Sequence, residues 1–164
     1  MKNSFIHTLP VFIILMAIVA CSNDPIYIFT DEGVTFEEQL QVDLEIIDNY
    51  LKDSELDYEI HEPSGLRYTI YEAGNDTMPT LTSPINFDYE AAFIPDGRVF
   101  ESNERITTSL DQLIEGFQIG MQLIGEGGII SLYIPSGYAY GNREAGEIPA
   151  NSILQYNVVL NGVQ

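Results

Sequence analysis

The chain has few basic side chains. Its 164 residues include six Lys and Arg against 25 Asp and Glu, which gives a formal net charge of −19 at pH 7. Because contacts to phosphate groups need Lys and Arg, this charge excludes nucleic acid as a partner. It also argues against electrostatic attraction to anionic lipid.

Residues suited to metal or covalent chemistry are also scarce. The two histidines are His7 and His61, Cys21 is the single cysteine, and no cluster has the spacing of metal ligands or of a nucleophile and its base. We therefore expect no metal and no cofactor. Tryptophan is absent, whereas ten tyrosines and eight phenylalanines favour a β-rich core.

The one long apolar run lies at the N-terminus. Residues 1–3 precede an apolar stretch from Phe5 to Ala20, which has the form of a secretory signal. A membrane anchor is the alternative, but the run is shorter than the ~20 residues that a helical span needs and contains His7 and Pro10. Residues 1–20 are therefore predicted to be a signal peptide.

The sequence Ile-Val-Ala-Cys at 18–21 resembles the lipobox of bacterial lipoproteins. The resemblance implies that Cys21 is lipidated and becomes the first residue of the mature protein. Two or three acyl chains would anchor it stably, since each buried CH₂ contributes about 0.8 kcal/mol. We expect the protein in the cell envelope, anchored by lipid to a bacterial membrane and facing the periplasm or the cell exterior. Residues 21–34 would form the tether.

Residues 35–62 are predicted to be an acidic N-terminal helical segment. Thr35 and Glu38 have the spacing of a capping box, and an amphipathic helix of about 17 residues is expected to follow and to end near Lys52. Such a helix is marginally stable alone, so its apolar stripe needs a partner. The partner is either the rest of the domain or the same helix of a second copy in a homodimer. The stripe comprises Phe36, Leu40, Leu44 (or Asp43), Ile47 and Leu51.

Alternation of apolar and polar residues predicts about five antiparallel strands in residues 63–164. One short helix, within Ser109–Gly128, is expected to cover this sheet with a face formed by Ile114, Phe117, Met121 and Ile124. The fold class is therefore α+β, with an amphipathic helix in front of the sheet. The predicted strands are Leu66–Ile70, Ile85–Ala91, Arg98–Phe100, Ile129–Ile134 and Ile153–Leu160.

A long polar loop, Asn142–Asn151, joins the last two predicted strands. Tyr140 precedes the loop and Tyr156 follows it. Long loops in compact domains are usually either functional or disordered. Aromatic side chains at both ends favour a functional loop.

Four motifs carry a resemblance to a known family. They are Leu-Ile-Glu-Gly-Phe at 113–117, Glu-Gly-Gly at 126–128, Ile-Pro-Ser-Gly-Tyr-Ala-Tyr-Gly at 134–141 and Ile-Pro-Ala-Asn-Ser-Ile-Leu at 148–154. In this order and at these separations they resemble the FKBP family of peptidyl-prolyl cis-trans isomerases, over Ser64–Leu160. The resemblance implies an isomerase domain in residues 63–164, with a curved antiparallel sheet wrapped on the short helix and a pocket between them.

The resemblance also implies the site residues. The Tyr140 hydroxyl and the Ile114 backbone N–H would bond the carbonyls that flank the proline, and Glu101 stands where the family has an aspartate, so these three are the expected catalytic residues. Phe117 replaces the tryptophan that usually forms the pocket floor. The expected substrate-binding residues are Tyr89, Phe100, Leu113, Ile114, Phe117, Tyr140, Ile148 and Tyr156.

The function implied is that of a membrane-tethered prolyl isomerase that assists the folding of exported proteins and acts on proline-containing polypeptides. The barrier to rotation of the prolyl peptide bond is ~18–20 kcal/mol and arises from the resonance that is lost as the C–N bond twists. An apolar pocket favours the twisted amide, which is less dipolar than the planar one, without a metal or an acid–base pair. The alternative is a catalytically weak or inactive binding module or chaperone of the same fold, serving an envelope partner.

Overall fold

The computed structural model describes residues 33–164. The predicted signal peptide, the predicted lipidation site at Cys21 and most of the predicted tether lie outside the described residues. The described helices are α1 (Phe36–Asp53) and α2 (Glu115–Met121). The strands are β1 (Glu59–His61), β2 (Leu66–Glu72), β3 (Pro84–Ile94), β4 (Val99–Ser109), β5 (Ile129–Ile134) and β6 (Ile153–Val163).

The strands form one antiparallel sheet with the order β1-β2-β5-β6-β3-β4. The α+β fold class is confirmed. The described sheet has six strands, one more than expected, because β1 pairs with β2 although it lies in the segment predicted to be helical. The division of the chain at residue 63 stays a prediction.

β4 is much longer than the three residues predicted for it. It pairs with β3 from Val99, opposite Ala92, to Ser109, opposite Pro84, in a hairpin that turns at Pro95-Asp96. The periodicity gave no sign of this length because most side chains of β4, an edge strand, are exposed or half-buried and few are apolar. Its residues beyond Phe100 reach the candidate site described below.

The helix predicted within Ser109–Gly128 is shorter than expected. A 3₁₀ turn occupies Leu110–Gln112, and extended residues separate it from α2. α2 lies very close to β5, since a Cβ placed at Gly120 would be 2.2 Å from Leu132 Cδ2. The close approach places the buried side of α2 directly on the sheet.

α1 begins and ends close to the predicted residues. The Thr35 hydroxyl accepts a bond from the Glu38 N–H, and the Glu38 carboxylate accepts one from the Thr35 N–H, so the capping box is present. Asp43, not Leu44, occupies the middle of the buried stripe, and Phe36 remains half exposed. The buried members of the stripe are Leu40, Asp43, Ile47 and Leu51.

α1 covers the sheet face opposite α2. Ile47 and Leu51 pack with Tyr133, which points away from the main core on β5. On the same face, Arg67 donates to both carboxylate oxygens of Asp48 at 2.8 and 2.7 Å. The domain itself is thus the partner of the stripe, and the expectation of a single covering helix is corrected. A homodimer through α1 stays a prediction, although most of the stripe already packs on the domain.

Candidate functional site

A cavity of about 380 Å³ lies between α2, the β3–β4 hairpin and the segment that follows β5. Aromatic and branched aliphatic side chains form most of its wall, and Glu101 is its one ionised side chain. An enclosed apolar space with a few polar groups is the usual form of a ligand site. The lining residues are Phe87, Tyr89, Glu101, Asn103, Ile106, Gln112, Leu113, Ile114, Phe117, Tyr140 and Tyr156.

Four aromatic rings form the floor and one wall of the cavity. Phe117, on α2, meets Tyr156 edge to face with ring centroids 5.5 Å apart, and its centroid is 5.1 Å from that of Phe87. Tyr89 packs on Tyr156 with a centroid separation of 5.8 Å. Because each ring is held by the next, the shape of the cavity is fixed before a ligand enters.

A short chain of hydrogen bonds lies at the mouth of the cavity. The Asn103 amide nitrogen donates to the Tyr89 hydroxyl at 2.9 Å and to the Glu101 carboxylate at 3.0 Å. Partial burial raises the pKa of Tyr89, and the nearby Glu101 raises it further. The two bonds of Asn103 hold the Tyr89 hydroxyl close to Glu101, and the Tyr89 hydroxyl is neutral at physiological pH.

Tyr156 is 6% exposed, and its ring packs against the rings of Phe117 and Tyr89. Burial raises the pKa of Tyr156 far above its usual value, and Tyr140, Tyr89 and Glu101 add to this effect. The ionised form is therefore strongly disfavoured. Tyr156 contributes an uncharged surface with a neutral hydroxyl.

The extended residues before α2 present a backbone donor to the cavity. The Gln118 side chain donates to the Leu113 carbonyl at 2.7 Å, and the Ile114 carbonyl accepts bonds from the Phe117 and Gln118 N–H groups of α2. Among residues 33–164, the Ile114 N–H has no hydrogen-bond acceptor. A ligand carbonyl in the cavity is a suitable partner for this group.

Tyr140 lies at the rim of the cavity and is 38% exposed. It follows a 3₁₀ turn, Ser136–Tyr138, at the end of β5. The Gly141 N–H donates to the Ser136 carbonyl at 2.8 Å, and the Asn151 N–H donates to the Gly141 carbonyl at 2.8 Å. These two bonds fix the backbone on the C-terminal side of Tyr140.

The structure brings most of the predicted site residues together. Two predicted members, Phe100 and Ile148, are not part of the cavity lining. The Phe100 ring stacks on Phe93, with centroids 4.5 Å apart, and Ile148 is buried in the hydrophobic core. Both residues therefore pack in or against the hydrophobic core and do not form part of the cavity wall. The predicted residues that line the cavity are Tyr89, Glu101, Leu113, Ile114, Phe117, Tyr140 and Tyr156.

Four lining residues were not predicted as part of the site. Phe87 could have been found, because it alternates with Tyr89 on the inward face of the same strand. Ile106 and Asn103 reach the cavity through the unexpected length of β4, and Gln112 through the 3₁₀ turn before α2. No local pattern in the sequence marks those three positions.

A comparison with models of protein families shows which family the chain belongs to. The model of the FKBP-type peptidyl-prolyl cis-trans isomerases matches residues 75–161, which is more than half of the sequence. The chain belongs to this family. The resemblance seen in the four motifs is therefore confirmed.

Individual proteins are also similar to this chain in sequence or in structure. A probable FKBP-type peptidyl-prolyl cis-trans isomerase, FkpA of Neisseria meningitidis, is 39% identical over 102 residues, covering 59% of this chain and 37% of that protein. Outer membrane protein MIP of Legionella longbeachae is 33% identical over 107 residues, covering 62% and 46%. The crystal structure of FkpA from Escherichia coli matches with a TM-score of 0.63 and 30% identity, covering 76% and 64%. The chain spans less than two thirds of the length of each of these proteins.

Within residues 33–164, neither helix is long and apolar enough to cross a bilayer. In the same residues, no three His, Cys, Asp or Glu side chains are grouped so that they could hold a metal ion.

Proposed function

We propose that the protein is a peptidyl-prolyl cis-trans isomerase and that the cavity beside α2 binds the X-Pro segment of its substrate. The observation that carries the proposal is the preformed aromatic cavity, closed by Phe117 and Tyr156, in a chain of the FKBP family. Its size suits a proline ring and the residues next to it. Its lining supplies an apolar surface and, at Ile114, a backbone donor with no acceptor among the described residues.

The cavity lining would accelerate isomerisation because it raises the free energy of the planar peptide bond more than that of the twisted one. The planar amide is strongly dipolar, and the twisted transition state is less so. Transfer from water into an apolar cavity therefore destabilises the planar ground state more than the transition state. Each 1.36 kcal/mol of this difference corresponds to about tenfold in rate.

The polar groups at the rim would hold the substrate in register. The Tyr140 hydroxyl would donate to one carbonyl beside the proline, and the Ile114 N–H would donate to another. Glu101 is bonded to Asn103, and Asn103 to Tyr89, so we assign Glu101 the role of holding the Tyr89 wall in place. The proline ring would rest on Phe117 and Tyr156.

The protein would act outside the cytoplasm, tethered to a membrane through lipid on Cys21, on the folding of exported proteins. The lipobox-like sequence at 18–21 supports this, and so does the name of the Legionella relative, an outer membrane protein. Proline isomerisation takes tens to hundreds of seconds and can limit folding. Mass spectrometry of the protein from its native membrane should find acyl chains on Cys21, and an unmodified Cys21 would contradict the tether.

The experiment that tests the function uses two unfolded clients, one whose refolding is limited by proline isomerisation and one without proline. We expect the full chain in detergent micelles to increase the refolding rate of the first client catalytically and to leave the rate of the second unchanged. Protection of the proline-free client from aggregation, without acceleration of the other client, would instead indicate a binding module. That alternative is favoured by Glu101, which stands where the family has an aspartate.

A further inference from the structure

α1, which lies outside the residues that the family model matches, packs against the segment that carries Tyr140. This segment, Ser136–Gly141, is called the Tyr140 segment here. α1 lies on the side of it away from the cavity, although α1 precedes the matched residues 75–161 by more than twenty positions. Two independent contacts join α1 to the segment.

The first contact is a buried carboxylate. Asp43 Oδ2 accepts a bond from the Ser136 N–H at 2.7 Å and another from the Ser136 hydroxyl at 2.6 Å. Asp43 Oδ1 accepts from the Gln39 side chain at 2.7 Å. Asp43 and Ser136 are each 1% exposed. A buried carboxylate is tolerated only when donors surround it, so these bonds hold the groups firmly in one arrangement.

The second contact is steric. A Cβ placed at Gly137 would be 2.4 Å from Phe36 Cε2, so the first turn of α1 lies directly against the segment. The Phe36 ring also meets the Tyr138 ring edge to face, with centroids 5.6 Å apart. α1 therefore limits the movement of the segment in that direction.

The bonds of Ser136 continue toward Tyr140. The Ser136 carbonyl accepts bonds from the Ala139 N–H at 2.9 Å and from the Gly141 N–H at 2.8 Å, one on each side of Tyr140. Ser136 thus connects Asp43 to the peptide group that follows Tyr140 and to the peptide group between Tyr138 and Ala139. A shift of Ser136 would move the Tyr140 side chain with it.

We propose that Asp43 is a positioning residue for isomerisation, which holds the Tyr140 hydroxyl at the substrate carbonyl through Ser136. The inference rests on the proposed function. Asp43 does not line the cavity, so it acts on the geometry of Tyr140 and not on the substrate directly. Misplacement of a catalytic group by 1 Å can cost ~100-fold in rate, which makes a rigid support valuable.

The test compares Asp43→Asn with Asp48→Asn in the full chain in detergent micelles. Asparagine keeps the shape but loses the charge, and its NH₂ group must face either the Gln39 donor or the Ser136 donors. Asp48 lies on the same helix and pairs with Arg67, away from the Tyr140 segment, so its loss weakens the docking of α1 without touching Ser136. It is the matched control.

We expect Asp43→Asn to lower kcat for a proline peptide by about tenfold with little change in KM, because the cavity that binds the proline is intact. We also expect faster amide hydrogen exchange at Gly141. Asp48→Asn should lower the midpoint of thermal unfolding and leave kcat and the exchange at Gly141 unchanged. Unaltered kcat in Asp43→Asn, or an equal loss of kcat in Asp48→Asn, would overturn the proposal.

A milder variant covers the case in which Asp43→Asn does not fold. Ser136→Ala removes the hydroxyl bond and keeps the N–H bond, so a smaller loss of kcat, about threefold, is expected; no loss would contradict the role of Asp43. If the wild-type chain does not accelerate isomerisation at all, the proposed function fails. Exchange at Gly141 then decides by itself whether Asp43 positions the segment.

Discussion

Tyr133 is a buried side chain whose polar group lacks a hydrogen bond among the described residues. It is fully buried between α1 and the sheet, and its hydroxyl has no hydrogen-bond partner among the described residues. Burial raises the pKa of Tyr133, and the nearby Thr69 and Ser131 side chains act in the opposite direction. Neither side chain is within hydrogen-bond distance of the Tyr133 hydroxyl, and an unbonded buried hydroxyl lowers stability. The hydroxyl of the neighbouring Tyr50 does have a hydrogen-bond partner, since it donates to the Gln155 side chain at 3.0 Å.

Tyr133→Phe should therefore stabilise the protein. Removal of the unbonded hydroxyl is expected to raise the free energy of unfolding by about 1 kcal/mol, and Tyr50→Phe to lower it by about 1 kcal/mol. Urea unfolding of the two variants and the wild-type chain would measure both changes. A loss of stability in Tyr133→Phe as large as that in Tyr50→Phe would show that the Tyr133 hydroxyl is satisfied.

At the residue scale, sequence reasoning succeeded where a motif fixes a position. Tyr140 and Tyr156 frame the polar loop, and both line the cavity. It failed for Asn103, because the place of Asn103 depends on the register of a long hairpin, which no local pattern reports. Asp43 was noted as an alternative to Leu44 on the helix stripe. Its bond to Ser136, 93 positions away, follows only from the tertiary structure.

Among the elements, α2 and β5 depend on glycine for their close packing. A Cβ at Gly120 would be 2.2 Å from the Leu132 side chain, and one at Gly116 would be 2.4 Å from Ile134 Cγ2. Leu132 and Ile134 are fully buried in the main core, so each would have to shift among other core side chains to make room for a Cβ. A wider separation would also displace Phe117, which is on the same helix.

Gly120→Ala should destabilise the fold although alanine is the better helix former. Overpacking of a tight core costs roughly 1–3 kcal/mol, which exceeds the gain of at most about 1 kcal/mol in helix propensity. Gly162→Ala is the matched control, since the nearest atom to a Cβ there is 3.9 Å away. Thermal unfolding would compare them, and equal midpoints for the two variants would contradict the close packing of α2 on β5.

Elements were predicted well where the periodicity was strong and poorly where it was not. β5 was predicted with its observed limits, and α1 within one residue, because each has a full apolar stripe or alternation. α2 was predicted too long, since apolar residues keep the helical spacing into the turn at Ile124. β1 was missed because it has three residues and most of its surface is exposed.

Across the whole molecule, the sheet has a core on each face. The larger core lies under α2 and contains the cavity, and the smaller one lies under α1. The strongly acidic α1 thus has two sides, one solvated and one docked on the sheet behind the candidate site. The sequence indicated an amphipathic helix but could not say where it docks, because the residues it covers are spread over β3, β5 and β6.

The central claim is that the aromatic cavity catalyses prolyl isomerisation and that Tyr140 holds a substrate carbonyl. The most direct measurement is a protease-free isomerisation assay on a proline peptide, with the wild-type chain and Tyr140→Phe side by side. We predict clear acceleration by the wild-type chain and a kcat/KM about tenfold lower for Tyr140→Phe, the loss of roughly one hydrogen bond. A wild-type rate equal to that in buffer would contradict the account.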